Sequence, residues 1–284
     1  MTEPTPSAST TDAPLRLQRR GAIAWLTLNR PATRNALSGD DLFSAFETVL
    51  AEIDADPTLR VAVLTGAGSA FCAGGNVAEM RDRQGMFAGP PAEITSRYRQ
   101  GIQRIPRALA RLGLPIIAAV NGPAIGAGND LACLCDLRIA SSAARFAESF
   151  VKVGIVPGDG GCWLLPRVVG WSKAAEMALT GDTLDAAEAL RIGLVSQVVA
   201  PEALEDAAMA LAQRVAANPP QVLRWTKRLL WQARSGTLDE ALDAAGQFQG
   251  LAHHTADHRE ALAAFFEKRP PVFTGAGMAP QEGA

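Results

Sequence analysis

Twice in this chain a short β-branched strand runs into a glycine-rich turn that opens onto a helix. Residues 61–65 (Val-Ala-Val-Leu-Thr) lead into Gly66-Ala67-Gly68, and residues 116–120 (Ile-Ile-Ala-Ala-Val) lead into Asn121-Gly122-Pro123. Short apolar runs bounded by turn residues read as strands buried on both faces. Residues 137–140 make a third such strand, and strand–helix alternation of this kind predicts an α/β architecture.

The flanking segments fit around that core. Residues 15–17 and 22–28 read as paired strands with Gly21 at the hairpin turn, and Asn29-Arg30-Pro31 ends the second because proline has no ladder donor. Residues 38–54 read as a helix capped by Ser38. Asp40 and Asp41 lie at its positive end, and Leu42, Phe46, Val49, Leu50 and Ile53 form its apolar stripe. Beyond residue 200 the pattern becomes purely helical: residues 201–217, 221–232, 237–249 and 258–268, interrupted at Asn218-Pro219-Pro220. The expected organisation is a tail at 1–14, an α/β core at 15–200, a helical subdomain at 201–273 and a second tail at 274–284. The helical faces are free to pack on the core, on another subunit, or on both.

Charge and composition remove several functions. Lys and Arg total 27 against 29 Asp and Glu, so no basic field points to nucleic acid. No apolar run is long enough to span a membrane, and the Ser/Thr/Pro-rich start lacks a signal-peptide core. These readings make cytoplasm the expected compartment. Cys72, Cys133, Cys135 and Cys162 read as reduced, buried thiols, because Cys133 and Cys135 lack the two-residue gap of a redox or zinc pair. His253, His254 and His258 read as an exposed helix entrance, with no acidic or Cys partner at metal-ligand spacing.

The two turns carry the chemistry. In Ala70-Phe71-Cys72-Ala73-Gly74-Gly75-Asn76, paired glycines let the main chain approach a ligand, and a helix expected at 77–83 would aim its positive end there. Gly126-Ala127-Gly128 again exposes N–H groups at a helix start, with Asp130 in the first turn. Either turn alone is equally an ordinary tight turn, and neither matches a phosphate loop or a dinucleotide fingerprint. Together they suggest two donors for one developing oxyanion.

Arg30-Pro31 with Asn35-Ala36-Leu37, the two turns, Cys135-Asp136, residues 154–161, Leu165-Pro166-Arg167, Leu179-Thr180-Gly181-Asp182 and Gly193-Leu194-Val195 follow one another in this order. That ordered set resembles the enoyl-CoA hydratase/isomerase (crotonase) family over residues 15–273. The resemblance implies a spiral of ββα units with C-terminal helices that form trimers or dimers of trimers. It implies an acyl-CoA substrate, with coenzyme A part of that substrate and no separate cofactor or metal. It puts the oxyanion donors on the N–H groups of Gly75 and Ala127, with Ala73, Gly74, Asn76 and Gly126 lining the same place. It puts a catalytic carboxylate on Asp130 and contacts to coenzyme A on Phe265 and Lys268. Residues 80–94, with Met86-Phe87 and Pro90-Pro91, fall where the family shapes its acyl pocket.

Two departures matter. Asp130 stands where the family often carries Glu, one methylene longer. Phe150 stands where hydratases carry their second carboxylate, and a phenyl ring neither activates water nor moves a proton. Glu148 and Asp159 are the candidates to replace it: Glu148 would share a face with Phe150 if residues 147–151 are extended, and Asp159 sits in a glycine-rich loop. A solvated or capping role stays open for each. The expected activity is therefore hydration or double-bond isomerisation of an enoyl-CoA. A non-catalytic acyl-CoA binder or an RNA-binding member of the same fold stands as the alternative.

Overall fold

The computed structural model describes residues 12–276. Of the two expected tails, residues 1–11 and 277–284 lie outside the described residues. The inner ends are held: Asn29 N–H donates to the Pro14 carbonyl (2.8 Å), and Thr274 and Gly275 N–H groups donate to Asp257 (2.9 and 3.0 Å).

The chain begins with β1 (Leu15–Arg20) and β2 (Ile23–Leu28), then α1 (Asp40–Ala55) and β3 (Val61–Gly66). There follow α2 (Val77–Arg81), α3 (Pro91–Gln100), α4 (Arg104–Arg111), β4 (Ile116–Val120), β5 (Ala124–Ile125) and α5 (Ala127–Leu134). Next come β6 (Leu137–Ser141), β7 (Arg145–Ala147), α6 (Gly161–Val169), α7 (Trp171–Thr180), β8 (Thr183–Asp185), α8 (Ala186–Arg191) and β9 (Val198–Val199). Helices α9 (Leu204–Ala216), α10 (Pro220–Ala233), α11 (Leu238–His253) and α12 (Ala256–Glu267) complete it.

The large sheet runs β1-β2-β3-β4-β6-β9 and the small one β5-β7-β8. Only β1 is antiparallel in the large sheet, joined to β2 by the expected turn at Gly21 (φ 62°). Successive turns of chain read as one strand of the large sheet, one of the small sheet, then a helix: β4-β5-α5 and β6-β7-α6. A third joins β3 to α2 through a single parallel bridge between Cys72 and Ala124. This is the expected α/β, crotonase-like winding of ββα units.

Side-chain alternation along each strand feeds two cores. Ala24, Leu26, Ala62 and Leu64 face α1, α4 and α5, while Ile23, Trp25, Val61, Val63, Ile117 and Ile139 face the other way onto Leu204, Ala208 and Ala212 of α9. Each fully buried Leu or Ile here contributes roughly 1.5–3 kcal/mol relative to exposure. Helix α10 is pinned by an ion pair between a buried lysine and a half-buried aspartate. Lys227 Nζ meets Asp136 Oδ2 and the Leu114 carbonyl, each at 2.8 Å, and Asp136 also takes the Ile116 N–H and the Trp231 Nε1–H.

Three local expectations are corrected. Helix α1 starts at Asp40 after Gly39 (φ 85°) rather than at a Ser38 cap; Ser38 is buried, and its carbonyl accepts from the Arg30 guanidinium. Helix α2 spans five residues, so its dipole is far weaker than a helix over 77–83 would carry. Cys72, Cys133 and Cys135 are free and buried, but Cys162 is exposed near the start of α6, where its side chain points away from the core.

Candidate active site

The two glycine-rich turns are stitched side by side. Cys72 N–H donates to the Pro123 carbonyl and Ile125 N–H to the Cys72 carbonyl, both at 3.0 Å. Asn35 holds the first turn from behind: its side-chain amide donates to the carbonyls of Ala67 (2.9 Å) and Ala70 (2.8 Å), and its Oδ1 accepts the Arg30 N–H. Asn121 bonds Gly66 N–H and the Gly68 carbonyl, coupling the second turn to the first. Apart from the local Arg30–Asn35 bond, sequence patterning has no signal for such cross-links, because their partners lie 32 to 55 positions away.

Among the described residues, neither the Gly75 nor the Ala127 N–H donates to any backbone carbonyl or side chain. The left-handed residue of the second turn is Gly126 (φ 53°), and Ala127 already has negative, helical φ as the first residue of α5. The alanine therefore costs no strain and leaves its N–H available. By contrast, the Ala73 N–H is occupied by the Arg34 carbonyl (2.9 Å), and the Asn76 side chain caps α2 through Ala78 and Glu79 N–H. What those two residues offer outward is shape.

Behind the turns three carboxyl groups converge. Asp130, Glu148 and Asp159 are 1, 1 and 6% exposed. A Cβ built on Gly161 would strike Glu148 Oε1 and both Asp130 oxygens, the farthest of them at 2.7 Å, so the two carboxyls face one small space. Glu148 Oε2 accepts from Asn129 Nδ2 (3.0 Å); Glu148 Oε1 and both Asp130 oxygens are buried without a hydrogen-bond donor. Burial, then the charges of Asp159 and Glu148, lift Asp130 well above the ordinary carboxylate range. Burial raises Glu148 to about 7 against the opposing contacts with Asn129 and Asp130, and raises Asp159 to about 6 against its contact with Asp130. Three such groups cannot all ionise in one apolar space with no cation beside them, so the cluster retains a proton near neutrality.

The expectation that Glu148 shares a face with Phe150 is corrected. Strand β7 ends at Ala147, Glu148 has φ −97° and ψ 60°, and residues 149–153 form a 3-10 turn. The turn separates the two side chains. Glu148 points under α5, while the Phe150 ring lies over Gly126, 3.5 Å from where a Cβ there would stand.

The other walls come from the expected acyl-pocket segment and from one residue beyond it. Met80 Cε and the Phe87 ring lie 2.6 and 3.9 Å from a Cβ position on Gly75. Phe87 meets Tyr98, the only tyrosine of the chain, edge-on at 6.3 Å. Tyr98 in turn lies against Gly158 (2.7 Å from a built Cβ), and both burial and the Asp159 charge raise its phenol. Helix α3 thus extends the pocket through a tyrosine that sequence reasoning passes over. Burial pushes the Cys72 and Cys133 thiols to about 12, which leaves them inert.

The structure does not bring every candidate together. Phe265 (75% exposed) and Lys268 lie at the end of α12 and make no hydrogen bond or ring contact to the cluster. His253 and His258 pair with each other at the surface (3.0 Å). Among the described residues no group of three or more His, Cys, Asp or Glu side chains is placed to hold a metal ion, and no helix is long and apolar enough to cross a membrane.

Comparison with known proteins shows what the chain as a whole is similar to. A family model described as enoyl-CoA hydratase/isomerase matches residues 18–276. The chain is 40% identical over 253 residues to the 1,2-epoxyphenylacetyl-CoA isomerase of Escherichia coli, covering 89% of this chain and 95% of that protein. It is 37% identical over 254 residues to the short-chain-enoyl-CoA hydratase of Clostridium acetobutylicum, covering 89% and 94%. The crystal structure of an enoyl-CoA hydratase from Bacillus anthracis superposes with a TM-score of 0.85 at 32% identity, covering 93% of this chain and 100% of that one.

Proposed function

The chain belongs to the enoyl-CoA hydratase/isomerase family, and from that premise we propose that it moves the double bond of an enoyl-CoA thioester rather than adding water across it. The observation that carries this reading is the Phe150 ring packed over Gly126, next to the Ala127 N–H. An apolar ring at that place offers no carboxylate to hold and activate a water.

In the proposed reaction the Gly75 and Ala127 N–H groups receive the thioester oxygen and stabilise the negative charge that develops on it. Asp130, in its ionised form, takes a proton from the carbon next to the thioester carbonyl. The electrons spread into the oxygen and along the conjugated chain, and Asp130, its proton exchanged with solvent, returns a proton two carbons further out. Atoms and charge balance with one carboxyl and no other reactant. Coenzyme A enters as part of the substrate. Met80, Phe87, Tyr98 and Phe150 form the acyl walls, and because the Asp130 oxygens are withdrawn from solvent, the acyl group displaces part of that wall on entry.

The remaining assignments are part of the same proposal. Leu230, Leu238, Leu242, Leu262, Phe265 and Phe266 on α10–α12 are all exposed in one chain, which supports burial against further copies in a homotrimer or dimer of trimers. Phe265 and Lys268 would reach coenzyme A only across such a contact. The near-balanced charge fits a cytoplasmic enzyme with no nucleic-acid partner.

The test is incubation with 2-enoyl- and 3-enoyl-CoA panels in heavy-oxygen, deuterated water, read by mass spectrometry. The expected product keeps its oxygen count and gains deuterium. Uptake of heavy oxygen would replace this reading with hydration, and tight binding without turnover would replace it with a non-catalytic acyl-CoA binder.

A further inference from the structure

Glu148 is as deeply buried as Asp130, each 1% exposed, and faces it across one small space. Its carboxyl is enclosed by Asn129 and Asp130 of α5 and by the bare Cα of Gly161 at the start of α6. One oxygen is occupied by Asn129 Nδ2, which fixes the plane of the carboxyl. The other has no donor and shares its space with both Asp130 oxygens, which have none either. Two carboxyl groups facing each other this way are stable only when a proton lies between them. We infer that Glu148 is a positioning residue that shares the cluster's one proton with Asp130, so that passage of the proton to Glu148 leaves Asp130 as an ionised, oriented base.

The surroundings leave that proton nowhere else to be neutralised. From α5, Asn129, Asp130 and Cys133 face Glu148; from the loop before α6, Asp159 does; α6 contributes only Gly161. Helix α7 packs on the 149–153 turn, but its Lys173 points outward to Glu176 and Glu188, and Lys152 of the turn itself points outward to Asp182. Arg138 and Arg234 act on Cys133, and neither is among the charges that act on Asp130, Glu148 or Asp159. Among the described residues no cation faces the carboxyls. A shared proton is what remains to satisfy them, and it lies between Glu148 Oε1 and the Asp130 carboxyl, neither of which has another donor. Asp159 acts on the Tyr98 phenol at the wall.

This inference rests on the reading of Asp130 as the base, and its test separates the two. Glu148→Gln keeps the shape, still accepts from Asn129 and donates N–H to Asp130 permanently, imitating the protonated acid. Glu148→Leu keeps the bulk and removes the donor. The readouts are deuterium exchange at the substrate carbon against pH, and carboxyl NMR of the free protein with labelled aspartate. In Glu148→Gln the ionisation of Asp130 moves to lower pH by about one unit, since a neighbouring negative charge is gone. Its plateau exchange rate stays within a few-fold of wild type. Glu148→Leu loses roughly 30-fold or more in that rate, on the scale of a lost charge-assisted hydrogen bond at a reacting group, with KM little changed.

Superimposable pH profiles for wild type and both variants would overturn the inference in favour of a passive filler. Abolished exchange in a folded Glu148→Gln would overturn it in favour of direct contact between Glu148 and substrate. If Glu148→Leu does not fold, the NMR titration of Glu148→Gln decides alone. Wild type that exchanges no acyl-CoA hydrogen while Asp130 still titrates as described would sink the base reading and leave the carboxyl pairing standing.

Discussion

Gly161 stands so close to Glu148 that a methyl group on its Cα would overlap the Glu148 carboxyl and touch that of Asp130. The start of α6 and the start of α5 thus meet across two acids, with a glycine as the only residue that fits between them. Gly161→Ala is expected to push both carboxyls off their positions, costing about 1–3 kcal/mol as overpacking does. Denaturant unfolding measures the loss, and the exchange rate should fall further than stability alone explains. Unchanged stability would mean that the two carboxyls yield freely.

The carboxyl cluster makes stability depend on pH in a definite direction. Glu148 (about 7) and Asp159 (about 6) have folded-state values above their ordinary ones, so their neutral forms favour the fold. Their contribution is fully present below the unfolded values near 4 and is lost as pH rises through 6 to 7. Melting temperature should therefore decline across that window in wild type. Asp130→Asn removes one charge from the cluster and should flatten the decline while suppressing turnover at least ~100-fold, in the range of lost general-base catalysis. Near-wild-type turnover would end the case for Asp130.

Phe150→Glu tests what the ring withholds. A carboxylate over Gly126 would stand beside the Ala127 N–H and could hold a water there. Heavy oxygen should then enter the product from a 2-enoyl-CoA, where wild type incorporates none. Absence of oxygen uptake by a folded variant would show that more than this one side chain separates the two reactions.

The partly buried Lys227–Asp136 pair anchors α10 to the start of β4 and β6. Lys227→Met leaves Asp136 without its ion partner in a site where Lys227 is only 6% exposed. Asp136 is 22% exposed and keeps the Ile116 N–H and Trp231 Nε1–H, so the cost is about 1–3 kcal/mol, below that of a fully buried pair. Urea midpoints should show it, and loss of the C-terminal helices' protection in hydrogen exchange should accompany it. A cost below ~1 kcal/mol, typical of exposed pairs, would contradict the anchoring role.

Much of this molecule is legible along the chain because its signals are local. A β-branched run, a glycine pair and a helix start are contiguous, so the Gly75 and Ala127 turns and the first-turn position of Asp130 can be read from residue order alone. The same locality misleads where a neighbour's conformation decides direction. An extended backbone would put Glu148 on the face of Phe150, and a 3-10 turn sends the two apart. The apolar setting of Cys162 suggests a buried thiol, but its place near the start of α6 faces it outward. Tyr98, Asn129 and Gly161 carry no local signal of their importance, since each matters only through a residue from another segment; the Gly160-Gly161 pair ahead of a helix is the one visible hint.

The sequence by itself determined the α/β winding, the two exposed N–H turns and the acid one turn into α5. These depend on periodicity, turn chemistry and helix-end donors, all of which act within a few residues. Only the tertiary structure decided that three carboxyls share one dry space, with Asn129 fixing one of them and Gly161 making room. Desolvation and charge repulsion act through space rather than along the chain. The protonation that governs this site therefore first exists when α5, the 149–153 turn and α6 close around it.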